Sequence, residues 1–369
     1  MSTVRPIHQL VHTLSYGDAI STEVLALQRA LRSMGRESEI YALHEHPRLK
    51  GRSRPLSLLN SKAPADIILH YSLGSPLNPL YAEWSSGARI LIYHNVTPAR
   101  WYSGINNRVA YDIERGLDEL PGLCRLSDVL WADSEFNAEE LRGLGFKAEV
   151  LDLCVDPERW DAPRNEGIFS LVKGNPELHV LHVGRIAPNK CIEDIIKSFY
   201  FLHRYIEKNS RLWLVGIDTD TELYSFSLRR LVSGLGLEDK VEFAGCLADE
   251  EVRSLYEACS VYVCMSEHEG FCLPLIEAMH FGLPVVGFAA GAVPQTLGNA
   301  GVVVSEKKHA HIGQLLHDLG RETELRRQVV ARGKARVKEF SYERFHSRVS
   351  ALVSSLPSKS VAQVVGEAV

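Results

Sequence analysis

No stretch of this 369-residue sequence approaches the roughly 18 consecutive apolar residues of a membrane-spanning helix. Runs such as Val302-Val303-Val304 and Val261-Tyr262-Val263 are strand-sized. The N-terminus carries no signal-peptide hydrophobic core, so a soluble protein is expected. A basic excess is also missing. Lys and Arg number 41 against 46 Asp and Glu, a net charge of −5 that argues against a nucleic-acid partner. The seven cysteines (124, 154, 191, 246, 259, 264 and 272) form no Cys-x-x-Cys pair. An odd, scattered set reads as reduced thiols and points to the cytoplasm. The histidine pairs His44/His46 and His309/His311 lack a companion ligand set, and neither a metal nor another cofactor is expected. No internal repeat or low-complexity tract stands out.

What is present is a regular alternation of short apolar strands and amphipathic helices, the pattern of parallel α/β sheets. Strands are expected at 7–14, 39–43, 66–71, 89–94 and 129–133, with helices at 20–34, 107–117 and 137–144. The segment Asp156-Pro157-Glu158-Arg159-Trp160-Asp161-Ala162-Pro163-Arg164-Asn165 is rich in proline and charge and reads as a linker. The alternation then restarts, with strands at 179–183, 212–215, 241–244, 261–265, 285–287 and 301–304 and with helices between them. At this length, two doubly wound, Rossmann-like domains facing each other across a cleft are expected, residues 1–160 and 161–341. A helix at about 342–356 packs back on the first, and 357–369 is a tail. Ligands of such sheets bind at the carboxyl ends of the strands.

Chemistry concentrates at two of those ends. The segment Ser266-Glu267-His268-Glu269-Gly270-Phe271-Cys272-Leu273-Pro274-Leu275-Ile276-Glu277 follows a strand, and Pro274 predicts a helix starting there. Helical side chains lean toward the N-terminus, so Glu277 and Glu269 crowd the same strand-to-helix loop as the backbone amides of 271–275. Such amides favour phosphate, and carboxylates suit sugar hydroxyls. Alone, Glu277 reads equally well as a complement to the helix dipole. The second segment, Val183-Gly184-Arg185-Ile186-Ala187-Pro188-Asn189-Lys190, sets two cations on a glycine turn after a strand. Arg offers a planar fork to phosphate oxygens and Lys a point charge. The spacing is not that of a P-loop.

Together these segments resemble the C-terminal domain of the retaining glycosyltransferases of family 4, which have the two-domain GT-B fold. Gly184, Arg185 and Lys190 match the family's Gly-Arg-x-x-x-x-Lys element. Glu269-Gly270-Phe271 through Glu277-Ala278-Met279, continuing to Gly282 and Pro284-Val285-Val286, match its paired-glutamate element. Val241-Glu242-Phe243-Ala244-Gly245 matches its base-binding segment. In the first half, Gly17-Asp18-Ala19-Ile20 resembles the family's glycine loop without the usual second adjacent glycine. Tyr93-His94-Asn95-Val96-Thr97-Pro98 resembles its active-site histidine loop, and Asp133-Ser134-Glu135-Phe136-Asn137 resembles a segment on the cleft's far wall. One departure is Gly291-Ala292-Val293-Pro294-Gln295, where many members have two glycines before Pro-Glu. That loop bears on substrate choice.

The resemblance implies a metal-independent hexosyltransferase: front-face transfer with retention from a nucleotide-diphosphate sugar, with GDP-mannose or a related donor as the guess, to a glycan or lipid-linked glycan in surface polysaccharide synthesis. It implies that residues 161–341 bind the donor and 1–160 the acceptor. Arg185, Lys190 and the 273–275 amides would stabilise the departing diphosphate. Glu277 would hold ribose hydroxyls, Glu269 the donor sugar, and His94 the sugar or acceptor. Gly17, Gly184, Gly245, Phe271, Cys272 and Leu273 complete the donor set, and Asp18, Asn95 and Trp101 the acceptor side. The basic stretch Arg48, Lys50, Arg52, Arg54 and Lys62 suits either an anionic membrane surface, making the protein peripheral on the inner face of the cell membrane, or a solvated loop. The rival readings are a nucleotide-sugar 2-epimerase of the same architecture and a non-catalytic sugar-nucleotide-binding partner. The oligomeric state is not legible.

Overall fold

The computed structural model describes residues 5–321 and 323–357, which divide into two units. The first holds the described residues up to Pro98, then Tyr111–Cys154 and the described residues from Tyr342 onward. The second holds Ala99–Ala110 and Val155–Ser341. Of the tail expected at 357–369, only Pro357 lies within the described residues.

The first unit is built on a parallel sheet of β1 (Ile7–Leu14), β2 (Ile40–Glu45), β3 (Asp66–Tyr71), β4 (Arg89–Tyr93), β5 (Val129–Ala132) and β6 (Glu149–Val150). Their order is β2-β1-β3-β4-β5-β6. Residues of β3 are buried throughout, as expected of a strand covered on both faces. The core joins Ile7, Ile68, Ile90, Ile92 and Trp131 to Ala26, Leu27 and Leu31 of the helix Ala19–Ser33. Phe345, Val349 and Leu352 of the last helix, Tyr342–Ser354, complete it.

The second unit repeats the plan with β7 (Leu178–Val183), β8 (Ser210–Val215), β9 (Val241–Gly245), β10 (Val261–Cys264), β11 (Val285–Phe288) and β12 (Val302–Val304). All pair in parallel, in the order β12-β11-β10-β7-β8-β9. Winding reverses between β7 and β10. At such a switch point the loops leaving the two strands diverge and open a crevice for ligands.

Three expectations need correction. The domain boundary falls at Cys154/Val155 rather than after 160, because Asp156 caps a short helix, Pro157–Trp160, whose Trp160 is buried. That stretch is packed structure, not a linker. Ala99–Ala110 joins the second unit although it sits in the first half of the sequence. The helix expected to stop at 117 runs over Asn107–Leu126 through Pro121. Proline removes one helical hydrogen bond, and burial of Leu120, Leu123 and Cys124 on one face offsets that loss.

Candidate active site

In the second unit the two chemical segments leave the carboxyl ends of β7 and β10, the adjacent strands at the switch point. Gly184 follows β7 with φ 155°, and Gly216 follows β8 with φ 153°. A Cβ on Gly216 would lie 1.9 Å from the Gly184 carbonyl oxygen, so only glycine allows the two strand ends to approach this closely. Arg185 emerges from that turn. One of its terminal nitrogens donates to the Thr219 carbonyl at 2.6 Å and faces Asp220 Oδ2 at 3.5 Å. The guanidinium lies 5.9 Å from the Tyr102 ring centroid. Among the described residues, its buried Nε finds no hydrogen-bond partner.

Lys190 and Glu269 are brought together. The Lys190 Nζ lies 2.7 Å from Glu269 Oε2. Burial would pull the ammonium down, but Glu269 outweighs it and the lysine stays above its ordinary value. Burial likewise pushes the Glu269 carboxyl up, and the facing ammonium overrides this and holds it down. Both are therefore charged near neutrality. Glu269 is seated by the loop that departs from the family pattern: the Ala292 amide donates to the Glu269 carbonyl at 2.9 Å. Gly291, at φ 53°, has no room for a Cβ, which would stand 2.5 Å from the same oxygen.

The helix after β10 is Leu273–His280, capped by Cys272 in the left-handed region (φ 71°, ψ 63°). Pro274 is its second residue rather than its first. Phe271 and Leu273 are buried, and Phe271 packs edge-on against Phe340. What these two can offer a ligand is backbone, not side chain. Cys272 turns its thiol toward Cys264, with Sγ atoms 3.9 Å apart. Glu277 is also buried and partnered: Arg159 donates to Oε1 at 2.7 Å and the Tyr256 hydroxyl to Oε2 at 2.9 Å. Burial holds its carboxyl above the usual value despite Arg159. Gly245 closes β9 at φ 68° and its carbonyl accepts from Gly216. Trp101 belongs to the second unit rather than to the expected acceptor-side domain, because Ala99–Ala110 packs there. In that segment the Asn106 side-chain amide donates to the Asp220 carbonyl at 3.2 Å.

The first unit gathers a buried polar chain from Gln9 within β1 and Glu23 on the first helix to the ends of β3, β4 and β5. The Gln9 amide nitrogen donates to the Val24 carbonyl, which leaves the Gln9 oxygen to accept from His70 Nε2 at 2.9 Å. His70 Nδ1 then accepts from His94 Nε2, also at 2.9 Å. His94 Nδ1 faces Asp133 Oδ2 at 3.2 Å and Glu23 Oε2 at 3.3 Å. Burial drives His70 well down, so it stays neutral. Burial also opposes charge on His94, but Glu23 and Asp133 outweigh it and hold the ring up. Burial raises Glu23 to about 8. Both shifts favour the protonated forms, Glu23 as the neutral acid and His94 as the cation. Both ring nitrogens of His94, expected to face the sugar or acceptor, are engaged inside the unit. Asp18 caps its helix by accepting from Ser21, after Gly17 at φ 81°. Asn95, at φ 73°, donates to Asn137 and Glu140.

Residues 163–336 match the family model described as glycosyl transferases group 1. The second unit is a group 1 glycosyltransferase domain. Among curated relatives, O-antigen chain mannosyltransferase B of Escherichia coli is 32% identical over 171 residues, 45% of this chain and 42% of that protein. Mannosylfructose-phosphate synthase of Agrobacterium fabrum is 32% identical over 174 residues, 46% of this chain and 34% of that protein. The matched stretch thus spans less than half of either relative. Over the whole chain, sucrose-phosphate synthase of Thermosynechococcus elongatus superposes with a TM-score of 0.76 at 18% identity, covering 96% of this chain and 99% of that one. WaaG, a glycosyltransferase involved in lipopolysaccharide biosynthesis, gives 0.70 at 13% identity, covering 95% and 100%. The fold is the two-domain, Rossmann-like GT-B fold.

Sequence reading missed three parts of the glycosyltransferase domain. Arg159 lay in the supposed linker, where Asp-Pro at a helix start and a tryptophan were the available signals. Tyr256 carried no motif. The third is an Asp-x-Asp element, Asp218-Thr219-Asp220, which the metal-free expectation overlooked and which follows β8. Asp220, at φ 67°, faces Arg185 rather than a second carboxylate. Two clusters in this domain assemble metal-ligand types, Cys264/Glu269/Cys272 and Cys191/Asp194/Glu267. In each, a lysine already occupies the carboxylates: Lys190 on Glu269, and Lys307 on Asp194 and Glu267. His309 pairs with Asp194, and His46 accepts from the Arg48 amide.

Proposed function

We propose that this protein is a retaining, metal-independent glycosyltransferase whose second unit binds a nucleotide-diphosphate sugar, GDP-mannose or a related donor. The observation that carries this reading is the placement of Gly184-Arg185, the Lys190–Glu269 pair and the first turn of Leu273–His280 on the loops of two adjacent strands at a switch point. Developing charge on a departing diphosphate needs preorganised cations and amides. Arg185, with an unpartnered Nε, Lys190 and the Leu273 amide at the helix N-terminus supply them; Pro274 has no N–H, and that of Leu275 is taken by the Cys272 carbonyl. Glu269, ionised against Lys190, accepts from hydroxyls of the donor sugar, and Glu277 accepts from the ribose. The diphosphate itself takes the acceptor's proton as the sugar is transferred from its front face.

Mannose as the transferred sugar draws support from the names of relatives, including a GDP-mannose:cellobiosyl-diphosphopolyprenol α-mannosyltransferase of Xanthomonas oryzae, 30% identical over 108 residues. The same relative's name supports a glycan or lipid-linked glycan acceptor, and surface polysaccharide synthesis at the inner face of the cell membrane is the setting we propose. No helix among the described residues is long and apolar enough to cross a membrane. The basic stretch at Arg48–Lys62 is the surface suited to an anionic leaflet, although Arg54 is paired with Glu39. The test is a panel of nucleotide sugars read by thermal shift, followed by NMR of the product's anomeric configuration. Stabilisation by no nucleotide sugar, or a product of inverted configuration, overturns the reading.

A further inference from the structure

A carboxylate that contacts a ligand is useful only if its orientation is held, and Glu277 is held from a segment that looked like connecting chain. Its helix, Leu273–His280, brings only the backbone. The two oxygens are fixed from outside by Arg159, on the short helix Pro157–Trp160, and by Tyr256, on the helix Asp249–Ala258. Arg159 is itself clamped. Its Nε donates to Asp249 Oδ1 at 2.7 Å while its terminal nitrogen reaches Glu277, and the guanidinium lies 4.3 Å from the Trp160 ring centroid. A carboxylate has about four acceptor sites, so one donor on each oxygen fixes the orientation of Glu277 and leaves acceptor sites open for a ligand. Arginine suits this task, since its planar fork joins two carboxylates at fixed angles where an ammonium would not.

We propose that Arg159 and Tyr256 are positioning residues that aim the Glu277 carboxylate at a ribose hydroxyl, making the domain selective for ribonucleotide over deoxyribonucleotide donors. The inference rests on the donor-site reading above. It adds that selectivity resides in the clamp and not in Glu277 alone.

The experiment measures dissociation constants of GDP and 2′- and 3′-deoxy-GDP by calorimetry for the full chain. Its variants are Glu277→Gln, Arg159→Lys, Tyr256→Phe and the double variant Arg159→Lys/Glu277→Gln. Wild type should prefer GDP over at least one deoxy analogue by about tenfold or more, the worth of a hydrogen bond to a charged group. Arg159→Lys keeps the charge and should collapse that ratio, while affinity for the disfavoured analogue changes little. Tyr256→Phe, which removes only a hydroxyl and is the milder test of folding, should reduce the ratio in part. The double variant should lose no more than Glu277→Gln alone, because coupled residues are non-additive. A purely structural role would lower affinity for all three nucleotides alike. If Glu277→Gln abolishes the preference while folded Arg159→Lys and Tyr256→Phe keep it, the clamp is refuted and the donor-site reading stands. If Glu277→Gln itself has no effect, or wild type binds none of the nucleotides, the ribose contact fails and the clamp with it.

Discussion

Lys190 and Glu269, 79 residues apart in sequence, meet at 2.7 Å across the ends of β7 and β10. Neither strand loop could keep its charge buried alone, and each carboxyl or ammonium shift is set mainly by burial working against the other's charge.

Lys190→Ala should therefore cost both stability and turnover. Removing one member of a buried ion pair strands the other, at about 3 kcal/mol for this partly shielded pair. Loss of a charge stabiliser costs on the order of 10²-fold in rate. Urea unfolding beside transfer kinetics measures both, and unchanged values in either would contradict the pair's double role.

Arg185→Ala separates the two effects. Arg185 is about one-third exposed and its ion pair with Asp220 is long, at 3.5 Å. Stability should change by less than about 1 kcal/mol, while turnover falls by about 10²-fold or more. A large drop in the unfolding midpoint would mean that Arg185 holds the fold and not a phosphate.

Gly216→Ala should unfold the strand end. The new Cβ would overlap the Gly184 carbonyl at 1.9 Å, in a backbone region that side chains avoid. The clash is with backbone and cannot be relieved by a rotamer change, so a loss on the order of 3 kcal/mol is expected. Circular dichroism during thermal unfolding would check this.

The buried chain in the first unit predicts a pH dependence with a definite sign. Glu23 keeps its proton up to about 8 when folded, against about 4.5 in the unfolded chain, and His94 is raised as well. The folded state thus binds more protons through this window. Its contribution is complete below the unfolded value and is lost as pH rises toward 8, at most about 1.4 kcal/mol per pH unit for each proton. His70 is shifted the other way and Asp18 is raised, so the clean comparison lies above pH 7. There the urea midpoint of the wild type should fall with pH, and that of Glu23→Gln should stay flatter. Parallel slopes would remove Glu23 from the account.

Transfer should survive exhaustive chelation, with Arg185 and Lys190 standing where a divalent ion would otherwise neutralise phosphate. The neighbouring Asp218-Thr219-Asp220 element makes this a sharp test. Abolition by EDTA, with restoration by Mg²⁺ or Mn²⁺ and failure of that rescue in Asp220→Asn, would transfer the role to a metal.

Much was legible in the linear order because it depends on local rules. Strand and helix positions follow from hydrophobic period, so β1, β3 and β7 fell within a residue of expectation. The helix after β10 was announced by Pro274 and the glycine-turn cations by Gly184. Errors arose where a residue's surroundings are non-local. Asp156–Asn165 has the composition of a linker, and only packing of Trp160 beside Tyr256 and Phe281 reveals it as part of the domain. His94 sits at a strand end as expected, and only the tertiary structure shows its partners on β3, on the first helix and after β5.

The sequence by itself determined the parallel α/β plan, the two-domain count and the identity of the charged residues at the strand ends, because period, turn chemistry and motif spacing act over a few residues. Only the tertiary structure decided which charges are paired: Lys190 with Glu269, Arg159 with Glu277, His94 with Glu23 and Asp133. Strand order sets those pairings. It places β7 beside β10 and β3 beside β4, and burial then makes each isolated charge too costly to leave without its partner.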